Sequence, residues 1–321
     1  MREITYEQAA LEALQEAFRE NPRMVHLATD PFPEMAKEFG DKRVRVTPIC
    51  ESTFVGSAIG LAGSGYRTVV NIRMATFGFV AADQFINHMS KITYMFGGQA
   101  KFPILVRMQV GAGKSAAAQH SISPYAMYAQ MPGLKLILPS TPYDIKGLFR
   151  TALRENNPVI SFEHMDFGMM KGEVPEAEYS IPFGQARIWR EGTDVTIVAL
   201  ARMAHLSMKA AAELTREGIS AEIIEPRTLI PLDKQTILKS VARTGRLVVA
   251  DEACQTCSLA SEILASVVED RTAFGRLKAP PARVCGLDLP IPFSPPMEKF
   301  VVPDEEKLLK TIRALMDNVV G

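Results

Sequence analysis

The sequence predicts an α/β protein of two consecutive parallel-sheet domains, and three observations carry that prediction. Short runs rich in Val, Ile and Leu alternate with segments of helical period, the pattern of parallel sheets covered on both faces. The alternation lapses once, between Met165 and Gly192, and then restarts. The chain has 321 residues, whereas single cores rarely grow past about 250–300.

In chain order, Tyr6 to Glu20 places Ala9, Leu11, Leu14 and Phe18 at helical spacing. Val25 to Leu27 reads as a strand closed by Thr29-Asp30-Pro31. Gly56, Gly60 and Gly63 lie in a small-residue helix that begins near Glu51, and their spacing suits close helix packing. Thr68 to Ile72 reads as a buried strand, followed by a helix around Asp83 to Lys91. Pro103 to Arg107 and Leu134 to Leu138 are two further strands.

The lapse, with Lys171-Gly172-Glu173-Val174-Pro175-Glu176, predicts a linker over about 166–190. Domains over 1–188 and 189–321 follow. In the second, Asp194 to Leu200 is a strand, and a helix from His205 to Glu217 is capped by Gly218. The strand Ala221 to Glu225, a helix after Pro231-Leu232-Asp233 and the strand Arg246 to Ala250 come next. Proline-rich Pro280 to Pro296 should run extended, and an amphipathic helix from Asp304 to Met316 closes the pattern.

Basic and acidic side chains balance at 36 each, so nothing argues for nucleic acid or an anionic membrane surface. The charged N-terminus lacks the apolar core of a signal peptide, and no apolar run approaches the ~20 residues that span a bilayer. Cys50, Cys254, Cys257 and Cys285 are too scattered for a disulfide framework. A cytoplasmic protein is expected.

Gly111-Ala112-Gly113-Lys114-Ser115 follows a strand but is not a P-loop, because Met108 stands where the first glycine belongs. Cys254 and Cys257 have no second pair to complete a metal site and read as small buried residues at a strand-to-helix turn. Glu51 reads either as an acidic first-turn residue favoured by the helix dipole or as a ligand-facing group at a sheet edge. His120, closing a Gly/Ala/Ser loop, is either solvated or catalytic. The residues alone leave both pairs of readings open.

A family resemblance bears on that choice. Thr47-Pro48-Ile49-Cys50-Glu51, Met95-Phe96-Gly97-Gly98-Gln99, Ala118-Gln119-His120-Ser121, Pro139 to Gly147, Asn157-Pro158-Val159-Ile160, Arg190 to Ile197, Arg227 to Asp233, Thr244 to Val248 and Pro292 to Glu298 run in one order along nearly the whole chain. That order resembles the β subunits of thiamine-diphosphate-dependent 2-oxo acid dehydrogenases, nearest to the pyruvate and acetoin branches. The resemblance implies a pyrimidine-binding transketolase-like domain followed by a transketolase C-terminal-like domain.

It also implies roles. Glu51 would hydrogen-bond N1′ of the cofactor's aminopyrimidine and so activate it. Phe77 would stack on that ring, with Ile49 packed nearby, and His120 would donate a proton or stabilise charge later in the reaction. Ile104, Ala152, Leu153, Glu155 and Asn157 match positions whose carbonyls hold potassium. Magnesium would come with the diphosphate, but the family's Gly-Asp-Gly motif is absent, so an α subunit in an α2β2 heterotetramer would supply those ligands. The acyl unit would pass to a lipoyl acyltransferase. The segment after Thr29 is shorter than in relatives, which keeps a split transketolase-like or acyloin-forming enzyme as the alternative. A non-catalytic scaffold is a second one, disfavoured by Glu51, Phe77 and His120 occurring together.

Overall fold

The computed structural model describes residues 1–317; residues 318–321 of the expected second domain lie outside the described residues. The chain divides into two compact units, Met1–Val110 with Met127–Phe183, and Gly111–Ala126 with the chain from Gly184 on. Among the described residues no helix is long and apolar enough to cross a membrane.

The first unit opens with β1 (Arg2–Thr5) and α1 (Tyr6–Glu20), joined by a capping box between Thr5 and Gln8. Then come β2 (Met24–Ala28), α2 (Pro33–Phe39), β3 (Val44–Val46), α3 (Glu51–Gly63) and β4 (Arg67–Met74). A 3₁₀ turn (Ala75–Ala81), a π turn (Gln84–Met89), α4 (Ile92–Met95) and β5 (Ile104–Val110) follow. After α5 (Tyr125–Ala129) come β6 (Lys135–Ile137), α6 (Pro142–Ala152), β7 (Val159–His164) and β8 (Lys171–Val174). The strands run β6-β7-β5-β4-β2-β3, every neighbour parallel. Because β3 is the edge and β4 lies on the far side of β2, α3 must cross back over β2. Its first residue therefore stands at the carboxyl edge where the strand order reverses, the place where open parallel sheets bind ligands.

Two expectations change here. The helix expected around Asp83 to Lys91 is present but π-wound over Gln84–Met89, and an unexpected 3₁₀ turn (Ala75–Ala81) precedes it. Gly78 shows why the first turn is tight: a Cβ there would lie 2.6 Å from the Tyr128 hydroxyl. The expected linker is also structured, since β8 pairs antiparallel with β1 and Ile181 is buried against Gly147. The close-packing role expected for the α3 glycines holds at Gly56, where a Cβ would lie 3.1 Å from Gln84, and at Gly63, where one would lie 3.3 Å from Phe102. Nothing lies within 4 Å of Gly60.

His26 lies fully buried in β2, edge-on to Phe32, and neither ring nitrogen has a hydrogen-bond partner among the described residues. Burial, helped by the Arg107 charge, pushes its pKa down from 6.5 to about 3. The unfolded chain therefore binds a proton that the folded chain refuses, and stability is lost as pH falls from 6.5 toward 3. His26→Leu is expected to raise stability by about 1–3 kcal/mol at neutral pH, by removing unpaired nitrogens. The gap should widen by about 2 kcal/mol at pH 5, since each pKa unit is worth about 1.4 kcal/mol. Urea midpoints at pH 7 and 5 check this; equal gaps at both would contradict it.

The second unit contains β9 (Arg187–Arg190), β10 (Val195–Ala199), α7 (Arg202–Arg216), β11 (Ala221–Glu225), β12 (Thr228–Ile230), α8 (Lys234–Thr244) and β13 (Leu247–Cys254). It continues with α9 (Leu259–Glu269), α10 (Arg271–Phe274), β14 (Ala282–Gly286), α11 (Pro295–Val301) and α12 (Glu305–Asp317). Its sheet runs β14-β13-β10-β11-β9, parallel except for β9. Met203 and Leu214 from α7, with Leu308 and Ile312 from α12, bury Ile197, Ile223 and Val248 of the sheet. Gly245 ends α8 in the left-handed region at φ 73°, where a Cβ would also lie 2.8 Å from the Arg276 carbonyl.

The proline-rich segment is not extended throughout. It contributes β14 and then starts α11, with prolines at the first two helical positions, where a missing N–H costs nothing. Cys254 and Cys257 are exposed, not buried, because β13 runs on to Cys254 past the core. The turn beyond it is held by Thr256 bonding to Asp288.

Candidate active site

Glu51 is the first residue of α3 and is 7% exposed. Its carboxylate has no hydrogen-bond or ion-pair partner among the described residues. The carboxylate oxygens are not sealed from solvent, so the group is open to a ligand, and the helix N-terminus favours an anion there.

The next residue ties this position to a second predicted one. The Ser52 hydroxyl donates to the Val80 carbonyl at 2.6 Å, joining the first turn of α3 to the 3₁₀ turn that carries Phe77. Phe77 is half-buried there. Its neighbour Gly78 packs under Tyr128, Met108 and Phe85, which fixes the backbone from which the phenyl ring projects. Glu51 and Phe77 thus occupy linked elements at one sheet edge. Ile49, on the preceding loop, is 83% exposed.

His120 belongs to the second unit, on a loop from Gly111 to Pro124 that forms neither helix nor strand. Its Nδ1 lies 3.1 Å from the Ala116 carbonyl, an acceptor, so Nδ1 carries the proton and Nε2 is the nitrogen that can gain or release one. The base of this loop meets Glu298, whose Oε1 accepts from the Gly113 N–H at 2.9 Å and whose Oε2 accepts from the Ser115 N–H at 3.0 Å. Its far end is held by the Tyr125 hydroxyl, which donates to Asp251. Burial pushes the Asp251 carboxyl up to about 6 and the Tyr125 hydroxyl well above its usual range.

The positions matched to potassium gather at the opposite end of the first unit's sheet. Ala152, Leu153, Glu155 and Asn157 lie at the end of α6 and the turn before β7, and Ile104 begins the neighbouring strand β5. Two of these carbonyls are already engaged. Arg67 donates to that of Glu155, and the Glu155 N–H donates to that of Ala152 at 3.2 Å. A guanidinium thus already supplies positive charge at this cluster. Among the described residues no three His, Cys, Asp or Glu side chains gather as a metal ligand set.

Sequence reasoning missed Ser52, Gly78 and Glu298. Glu298 closes a quoted motif, yet its partners at Gly113 and Ser115 stand 185 and 183 positions away.

Comparison with known proteins matches both parts of the chain. Residues 2–166 match the transketolase pyrimidine-binding domain and residues 184–308 the transketolase C-terminal domain. The β subunit of the acetoin:2,6-dichlorophenolindophenol oxidoreductase of Cupriavidus necator is 47% identical over 85% of this chain and 80% of its own length. The β subunit of the pyruvate dehydrogenase E1 component of Bacillus subtilis is 40% identical, over 88% and 86% respectively. Among solved structures, a split-gene transketolase described as an inactive β4 tetramer superposes with a TM-score of 0.81 at 21% identity, covering 98% of each chain. That likeness supports the fold alone. The two relatives and the two domain matches together place the chain: it belongs to the family of β subunits of thiamine-diphosphate-dependent acetoin and 2-oxo acid dehydrogenases.

Proposed function

We propose that the chain is the catalytic β half of an enzyme that cleaves acetoin, and more slowly a 2-oxo acid, next to the carbonyl carbon. The observation that carries this reading is Glu51, a well-covered residue at the carboxyl edge of the sheet whose carboxylate has no partner among the described residues. When bound, thiamine diphosphate supplies a carbon nucleophile and accepts the electron pair of the bond that breaks. Glu51 would hold a proton at N1′ of its aminopyrimidine. Phe77 would lie against the ring, on the turn that Ser52 ties to α3. Ile49 would close over the same ring once covered by a partner.

His120 would act at substrate, with Nε2 passing or holding a proton while Ala116 fixes the ring through Nδ1. The diphosphate and Mg²⁺ would be held by an α subunit in an α2β2 assembly, since the chain contains no Gly-Asp-Gly run. The acyl unit would leave on the lipoyl group of an acyltransferase. Potassium fits poorly, because Arg67 already places a cation on the Glu155 carbonyl. Acetoin is favoured over pyruvate because identity is 47% to the acetoin-oxidising relative and 40% to the pyruvate-dehydrogenase relative.

The test is dye reduction by the co-assembled α and β subunits. Acetoin is expected to support reduction of 2,6-dichlorophenolindophenol with a higher kcat/KM than pyruvate. Only four residues connect β2 to α2, so an open mouth that admits an aldehyde is the competing possibility. No dye reduction with either substrate, together with two-carbon transfer from a ketose phosphate to an aldehyde, would replace this reading with a transketolase-like one.

A further inference from the structure

The His120 loop has no regular structure to hold it, and its backbone is strained. It enters the left-handed region at Gly111, Gly113, Ser115 and Ala117, with φ of 51° at Ser115 and 62° at Ala117. Non-glycine residues there cost on the order of 1–2 kcal/mol each, so surrounding contacts must impose the conformation. Such alternation turns successive N–H groups toward one side and makes a concavity for an anion.

The anion is internal. Glu298, 4% exposed, places one oxygen on the Gly113 N–H and the other on the Ser115 N–H, with the Ser115 hydroxyl 3.4 Å from the second. Glu298 is itself fixed, because its N–H donates to the Ser294 carbonyl and its own carbonyl accepts from Val302. Val301 and Val302 at the end of α11 pack with Ile291 and with Ala112 at the base of the loop. The contacts continue toward the ring. Ser115 and Ala117 flank Ala116, whose carbonyl meets His120 Nδ1, and the His120 N–H donates to the Ala117 carbonyl at 3.1 Å.

We propose that Glu298 is a positioning residue for His120: it clamps the Gly113 and Ser115 amides and so fixes the Ala116 carbonyl that orients the ring. The proposal rests on the reading that His120 acts in the reaction. Charge-assisted bonds to two amides are well suited to this task, being shorter and about twice as strong as neutral ones. Glutamine in this place keeps the size but offers an NH₂ group to one of the two N–H donors.

Hydrogen exchange and kinetics on the co-assembled enzyme, with acetoin and the dye as probes, test it. In Glu298→Gln the Gly113 and Ser115 amides should exchange faster. Its kcat should fall about ten- to a hundredfold with KM little changed, the scale expected when a catalytic group is misplaced. Proton exchange at the cofactor's C2, which depends on Glu51, should not change. Glu298→Asp, which keeps the charge, should recover part of the rate. In a His120→Ala background, Glu298→Gln should cause no further loss. Equal losses in both backgrounds, or unchanged amide exchange, would overturn the clamp alone. Wild-type turnover by His120→Ala would overturn the reading of His120 and the clamp with it.

Discussion

Glu51→Gln is expected to separate folding from function more completely than any other single change in this chain. In the folded chain the carboxylate stands at the start of α3 with no hydrogen-bond or ion-pair partner among the described residues, so the amide breaks none. The helix dipole favours an anion there by only about 0.3–1 kcal/mol, so thermal stability should fall by no more than that. Function should respond far more strongly. An amide cannot hold the N1′ proton of the aminopyrimidine as a carboxylate does, and acid–base groups are worth on the order of 10²–10⁴-fold in rate. The direct readout is C2 proton exchange of thiamine diphosphate in the co-assembled enzyme, with unfolding of the variant followed in parallel. Exchange at the wild-type rate would remove Glu51 from its role. Slow exchange in an unfolded variant would mean the carboxylate is structural after all.

The strands that build both sheets were legible because each is a local apolar run. Val69-Val70 in β4, Ile197-Val198 in β10 and Val248-Val249 in β13 are fully buried where the pattern put them. Gly218 was legible as a helix terminator because its left-handed φ of 80° is a backbone property of glycine. Periodicity reports which face is buried, however, and not what buries it. Nothing near Lys171 announces that it pairs with Thr5, and nothing in Gly111 to Ala126 announces that this segment packs with the second unit. The exposed Cys254 and Cys257 were misread for a related reason, since composition does not show that β13 outruns its core. At the candidate site, Glu51 and His120 were singled out by resemblance of motif. Residue type alone left each with an ordinary structural role of equal standing. Glu298 shows the limit most clearly. Its motif was visible, but a carboxylate acting through backbone amides across half the chain leaves no sign at either end.

The isolated chain is expected to bind thiamine diphosphate weakly and without magnesium dependence, and to bind it tightly only with an α subunit. On the proposed reading Glu51 and Phe77 would meet the pyrimidine end of the cofactor and offer nothing to a diphosphate. Beside them the first unit exposes two apolar side chains that water does not favour, Ile49 at 83% and Val80 at 65%. They belong to the loop before α3 and to the 3₁₀ turn, and exposed apolar groups next to a carboxylate suit a surface that a partner covers. Covering them would desolvate the Glu51 edge as the second half of the cofactor site arrives. Moving from millimolar to micromolar affinity requires about 4 kcal/mol, which magnesium-bridged phosphate contacts readily supply. Calorimetry with and without magnesium, on the chain alone and after co-assembly, measures the difference directly. Hydrogen exchange at Ile49 and Val80 should slow on co-assembly if this surface is the one covered. Tight, magnesium-dependent binding by the chain alone would show that it carries a complete site. Co-assembly that restores binding while leaving Ile49 and Val80 in fast exchange would place the partner elsewhere.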